Sequence, residues 1–278
     1  MRCIQLLITA VLGLLLFACG WGGNNYNTID DLQEHDVDLA NDIPVDNSRK
    51  KAIYSYREIL VDEDQEKDAP EVLRRLGDLR LEENEELSTN DPADAIEEDK
   101  YTTLVIDYRE TIELYEHLLD VNSDYELNDV VLYQLSRAYE SADDRENMLR
   151  SLDRLVTAFP ESGYYAEAQF RRGEILFVDK KYRQAVSAYT EVVNKGSEGR
   201  FYQHALYKQG WCHFKLMDYD IGLHSFIGLI DTMIIKDVDE DYDKLTRPQK
   251  ELLDDSLRAL ALSYGYLGGA AEISDYFD

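Results

Sequence analysis

From Ser48 onward, apolar residues return every three or four positions with charged residues between them, the spacing of amphipathic helices laid end to end. In the run AEAQFRRGEILFVDKKYRQAVSAYTEVV, which begins at Ala166, a small Gly173 is followed by Ala185, Tyr189 and Val192. The next run, QHALYKQGWCHFKLMDYDIGLHSFIGL from Gln203, sets Gly210, Gly222, Phe226 and Leu229 each 37 residues later. One unit earlier Ser136, Met148, Leu152 and Leu155 occupy the same phases, and Thr111, Tyr115 and Leu118 carry them back by another 37. Self-similarity at this period predicts stacked helix pairs.

The remaining intervals are the same period lengthened by insertions. Gly77 stands 59 residues before Ser136, and Ala261 stands 51 after Gly210. Polar segments absorb the excess: STNDPADAIEEDK after Leu87 and KDVDEDYDKLTRPQK after Ile235. A half-unit, KAIYSYREIL, opens the array with Ala52, Tyr56 and Ile59 in second-helix phase. At the far end Leu257, Leu260, Ala261 and Tyr264 fall in first-helix phase, but the second helix of that unit stops at Phe277 and Asp278. A solenoid needs a final helix with a polar outer face, so the expectation is the front part of a longer repeat protein. The alternative is a short last helix, or one covered by a partner.

Two antiparallel helices approach closely only where side chains are small, so Gly173 and Ala185 mark a crossing, and Tyr189 fills the groove toward the next pair. This pattern resembles the tetratricopeptide repeat, a helix-turn-helix unit of about 34 residues, over nearly all of residues 48–278. The resemblance implies an all-α, right-handed solenoid of antiparallel helix pairs. The connector FPESGYYAEAQF, with Pro160 after one helix and Ser162 before the next, is similar to the longer repeats of periplasmic and outer-membrane lipoproteins. Among these are the helical-repeat lipoprotein of the outer-membrane β-barrel assembly machinery and the Tol-associated periplasmic coordinator of cell-wall synthesis. Arg172 and Gln209 stand where many repeats place leucine, and Met148 where alanine is usual.

The front of the chain has a different character. Its apolar core, Leu6 to Ala18, is 13 residues long, short of the ~20 that span a membrane as a helix but suited to the core of a signal peptide. Leu16, Phe17 and Ala18 before Cys19 resemble the lipobox of bacterial lipoproteins, with Phe17 bulkier than usual. That resemblance implies removal of residues 1–18 and three acyl chains on Cys19, a stable anchor where a single chain is marginal. Cleavage elsewhere by ordinary signal peptidase would instead release a soluble exported protein. Gly20, in place of the Asp of inner-membrane retention, points to the outer membrane of a Gram-negative cell, facing the periplasm. Residues 19–47, rich in Gly, Asn and Asp, read as a solvated tether, and residues 48–278 as the array.

On that reading Cys3 would leave with the leader and Cys19 would be lipidated, so Cys212 would stand alone and packing would replace disulfides. With 29 basic against 57 acidic residues the formal charge is −28, which disfavours nucleic acid and anionic lipid surfaces as partners. Cys212 and His213 are neighbours, but adjacent helical residues point about 100° apart and form no dyad. His35, His117, His204 and His224 show no zinc-ligand spacing. DVDEDYD from Asp237 opens like a calcium loop, yet Tyr242 stands where glycine is needed and Pro248 where the closing glutamate belongs; it reads as a solvated acidic loop. No phosphate-cradling loop and no GxSxG occur. No metal, cofactor or small-molecule substrate is expected.

What remains is a surface. In tetratricopeptide arrays the first helices line a concave groove, and Tyr133, Arg137, Phe170, Glu174, Phe177, Tyr207, Trp211, Phe214 and Lys215 hold that phase here. Trp211 is the sharpest, since Trp is enriched among interface anchors, although aromatics at these phases also pack between repeats. The resulting expectation is a non-enzymatic scaffold that holds envelope proteins near the membrane, in outer-membrane protein assembly or cell-wall coordination. Two other readings stay open: the non-catalytic region of a longer cell-wall-active enzyme, and a structural lipoprotein that self-associates through its open end.

Overall fold

The computed structural model describes residues 45–61, 69–89, 106–234 and 242–268. The leader, Cys19, most of the tether, nearly all of the first polar insertion, the start of the second and the final ten residues lie outside them. The chain divides into two compact units at Ser48/Arg49. Of the first, only the residues that begin α1 (Val45–Val61) are described. The second holds α2 (Pro70–Thr89), α3 (Arg109–Val121), α4 (Asn128–Ser141), α5 (Arg145–Ala158), α6 (Tyr165–Val178), α7 (Tyr182–Asn194), α8 (Tyr202–Leu216), α9 (Tyr219–Met233) and α10 (Arg247–Leu267). From α2 onward each helix packs on the next, and the pairs α2/α3, α4/α5, α6/α7 and α8/α9 build an all-α solenoid.

Small residues set the approach within each pair. A Cβ placed on Gly77 would lie 2.6 Å from the Tyr115 ring, one on Gly173 2.5 Å from Tyr189, and one on Gly210 2.7 Å from Phe226. Even alanine would collide, so in these three pairs the aromatic ring of the second helix lies against bare backbone of the first. Ser136 and Leu152 hold the same phases in the pair between and are both fully buried. Gly173 precedes Tyr189 by 16 residues, as Gly210 precedes Phe226, whereas Gly77 precedes Tyr115 by 38. The first polar insertion therefore falls between the helices of its own pair and leaves their meeting point intact. One turn further, Leu118, Leu155, Val192 and Leu229 complete the core, each contributing about 1.5–3 kcal/mol of burial.

The turns within pairs repeat as strictly as the contacts. Among the described residues, the three non-glycine positions with left-handed backbone are Asp143 (φ 54°), Lys180 (φ 60°) and Met217 (φ 65°), spaced 37 apart. At each, the following amide reaches back across the end of the first helix: Asp144 N–H to Tyr139 O at 2.9 Å, Lys181 to Leu176 at 2.8 Å and Asp218 to His213 at 2.9 Å. This is the closing turn in which glycine is the preferred residue, here built three times without it. Asp144 then starts α5 by accepting from the Asn147 amide at 3.1 Å. Thr246 and Gln249 cap α10 reciprocally, and Pro248 sits in its first turn.

At the ends of the array burial departs from the expected phases. In α1 the buried residue is Ile53, with Ala52, Tyr56 and Ile59 half-buried. The helix is tied on by ion pairs from Arg49 to Glu86 and from Arg57 to Glu110. In α10, Leu253, Ser256, Ala259, Ser263 and Tyr264 are buried against α9, while Leu257 is 46% exposed and Ala261 is exposed. Leu257 and Ala261 are in phase with Leu206 and Gly210, positions that elsewhere face the second helix of their own pair. Among the described residues that place is not filled. No described helix is long and apolar enough to cross a membrane.

Met217 is 75% exposed, so its side chain adds little packing while its backbone carries the left-handed strain. Met217→Gly is expected to stabilise the protein by about 0.5–1 kcal/mol, read as a rise in Tm by circular dichroism. The same substitution at the neighbouring right-handed Leu216 should lower it.

Candidate functional groove

The first helices α4, α6 and α8 place residues 34 apart side by side. The Tyr133 hydroxyl donates to Glu167 at 2.8 Å, Phe170 meets the His204 ring edge-on at 6.4 Å, and Lys208 Nζ donates to Glu174 at 2.8 Å. Arg171 crosses the same seam to Glu140 at 2.8 Å while also holding Glu167, and Arg137 reaches back to both oxygens of Glu85 at 2.6 and 2.7 Å. All are half-exposed or exposed, so each pair is worth little by itself. They mark where successive first helices meet along the groove wall.

An aromatic stack recurs at the repeat period. Tyr164, just before α6, stacks on Tyr133 at 4.3 Å, and Phe201, just before α8, stacks on Phe170 at 5.2 Å. Both members of the second stack lie 37 residues after those of the first. Tyr164 and Phe201 were not among the residues expected in the groove, although the 37-residue step that relates Tyr133 to Phe170 also relates them.

Beside this stack lies a cleft of about 470 Å³ between α4, the start of α5 and α6. Its apolar wall is Met148, Phe170, Ile175, Val178 and Phe201; its polar wall is Glu140, Asp143, Glu167 and Glu174 with Arg145 and Arg171. Of the expected groove residues, the structure brings Phe170 and Glu174 to this cleft. It places Phe177 against Tyr182, with Lys208 Nζ 5.5 Å above its ring, and fixes Arg137 in its bridge to Glu85. Tyr207, Trp211 and Phe214 form a separate aromatic run in α8, which Phe214 extends to Tyr219 and to Tyr266 of α10. Lys215 is exposed.

Trp211 has a packing reason to be where it is. The residue after each of the three crossing glycines meets the buried ring. Asp78 follows Gly77 and accepts from the Tyr115 hydroxyl at 2.8 Å; Glu174 follows Gly173 and accepts from the Tyr189 hydroxyl. Burial together with these carboxylates pushes both phenols well above the ordinary tyrosine value. Gly210 is followed by Trp211, and the ring it meets, Phe226, has no hydroxyl; the two rings meet edge-on at 5.9 Å. Acid goes with tyrosine, and indole with phenylalanine. Two polar substitutions for leucine follow the same logic: Arg172 donates to Asp153 at 2.6 Å, and Gln209 donates to Thr190 at 2.8 Å.

Cys212 is buried among Ala185, Tyr189 and Ala205, where burial pushes its thiol up to about 12. It stays protonated at neutral pH and is no nucleophile. His213 lies instead with Nδ1 3.7 Å from Asp218, and burial lowers its proton affinity. Among the described residues no group of three or more His, Cys, Asp or Glu side chains is placed to hold a metal ion.

Phe226 is fully buried, so Phe226→Tyr puts a hydroxyl against Trp211 with no acceptor. A loss of about 1–3 kcal/mol is expected, measured by urea unfolding. Adding Trp211→Glu should recover part of it, a positive coupling in the double-mutant cycle.

Comparison with known proteins bears on the same segment. Residues 130–162, which span α4, α5 and the following connector, match the tetratricopeptide repeat family model. No curated protein matches the chain. Among solved structures, YrrB, described as a tetratricopeptide protein with an unusual peptide-binding site, aligns over 77% of this chain and 86% of its own at 16% identity, with a TM-score of 0.50. A MamA protein aligns over 68% and 84% at 15% identity, TM-score 0.47. The tetratricopeptide-like repeats of a Podosopora anserina kinesin light chain align over 74% and 92% at 14% identity, TM-score 0.47. The helix pairs of this chain form a tetratricopeptide-like solenoid.

Proposed function

We propose that this protein is a non-enzymatic scaffold of the bacterial envelope that binds an extended segment of another protein along the groove formed by its first helices. The observation that carries the reading is the cleft beside Phe170 and Phe201, a recess walled by aromatic and charged side chains where first helices are joined by inter-helix bridges. The likeness of the fold to YrrB, whose description names a peptide-binding site, supports it. Placement at the outer membrane rests on the resemblance of Leu16–Cys19 to a lipobox, with acyl chains on Cys19 as the anchor. The partner is then an envelope protein, in outer-membrane protein assembly or cell-wall coordination.

A second reading, self-association through the end of the array, is favoured by one feature. Leu257, Leu262 and Tyr266 are 46%, 52% and 63% exposed on α10.

Val178 lines the cleft and is 59% exposed, so a photo-crosslinking amino acid there reports occupancy without disturbing the core. Crosslinking in cells is expected to capture a discrete envelope protein from position 178 and not from Ser187, an exposed position of α7. Capture of a second copy of this chain from Tyr266, with none from Val178, would favour self-association. Metabolic labelling with a clickable fatty acid, lost on Cys19→Ala, checks the anchor.

A further inference from the structure

The cleft between α4 and α6 also carries information about the chemistry of its occupant. Three cations of the groove are already engaged. Arg171 spans Glu140 and Glu167, Lys208 is held by Glu174 at 2.8 Å, and Arg137 is clamped by Glu85. An acidic ligand would meet cations whose charge is already matched by carboxylates across the seams between first helices. Carboxylates still outnumber cations around the recess when the Lys208 bonded to Glu174 is included: Glu140, Asp143, Glu167 and Glu174 against Arg145, Arg171 and Lys208. Each bridged carboxylate has lone pairs left after accepting one or two hydrogen bonds. The surrounding chain, with a formal charge of −28, adds an attractive field for a cation and a repulsive one for an anion. The floor is apolar, with Phe170 and Phe201 stacked at 5.2 Å and Val178 exposed on the same cleft further along α6. Lysine and arginine suit such a recess, because their stems cover apolar surface while their heads stay with the carboxylates.

On the basis that the groove binds a protein segment, we infer that the α4/α6 cleft takes a lysine or arginine side chain of a basic, extended segment, its stem on Phe170 and Val178 and its charged head toward Asp143 and Glu140.

The repeat itself supplies a variant that keeps the fold. Asp143 and Lys180 occupy equivalent left-handed turns at φ 54° and 60°, so Lys180 shows that lysine is accepted by the turn that Asp143→Lys would create. Three sets of extended peptides, matched in length and aromatic content and carrying lysine and arginine, neutral residues or glutamate, are titrated against the detergent-solubilised full chain by fluorescence anisotropy. The basic set is expected to bind most tightly and to weaken as salt rises from about 0.05 M to about 0.5 M. Asp143→Lys is expected to weaken that set by about fivefold or more and leave the neutral set unchanged. Equal or tighter binding of the neutral or glutamate set, or indifference of the basic set to Asp143→Lys and to salt, overturns the charge assignment while leaving the scaffold reading intact. Binding of none of the sets, together with no capture from Val178, overturns both.

Discussion

The fold depends on how closely two helices can approach where a first helix carries no side chain. Gly77, Gly173 and Gly210 let Tyr115, Tyr189 and Phe226 lie on bare backbone, and this contact sets the close approach of three of the four pairs, with Ser136 and Leu152 in the same place in the fourth. Because it recurs at one phase, successive pairs repeat the same displacement, and residues 34 apart on consecutive first helices become neighbours. The Tyr133–Glu167, Phe170–His204 and Glu174–Lys208 contacts are that displacement expressed in side chains. The groove is thus a secondary result of the core.

Core and groove meet most directly at Glu174. It accepts the buried hydroxyl of Tyr189 on one side and Lys208 of the next first helix on the other, and it lines the cleft. A buried phenol without an acceptor is costly, so the ring chosen for the core dictates a carboxylate at the groove. Where the core ring is Phe226, the same position is free to be apolar, and Trp211 occupies it. Whether this position is acidic, as at Asp78 and Glu174, or aromatic, as at Trp211, follows from whether the core ring carries a hydroxyl.

Much of the repeat was legible in the chain. In the four helix pairs from α2 to α9, the phases of Gly173, Tyr189 and Val192 and their counterparts proved to be core, because a period in small and large apolar residues is a direct statement about packing. The groove was legible only in part. Phase alone placed Phe170 and Glu174 at the cleft, but it could not tell that Arg137 is clamped by Glu85, a residue beyond an insertion, or that Trp211 answers the missing hydroxyl of Phe226. Glu140, Asp143 and Arg171 escaped notice because charged residues are frequent in this chain and carry no periodic signature; only their convergence in space distinguishes them. Tyr164 and Phe201 lie in connectors, where helical phase has no meaning, though the 37-residue step still relates them. At α10 the phase of Leu257 and Ala261 was legible, but exposure depends on what lies opposite, which no single helix specifies.

The connection from α2 to α3 shows what the array leaves unconstrained. Residues 90–108 lie between these helices, where the other pairs turn within two or three residues, yet Tyr115 still reaches Gly77. Closing the longer connection adds roughly 1.5–2 kcal/mol of chain entropy, an amount comparable to the burial of one leucine side chain. Length at that corner is therefore nearly decoupled from the pitch of the stack. The corner is a port at which new sequence can be written into the protein, by evolution or by an engineer, while every downstream repeat keeps its place.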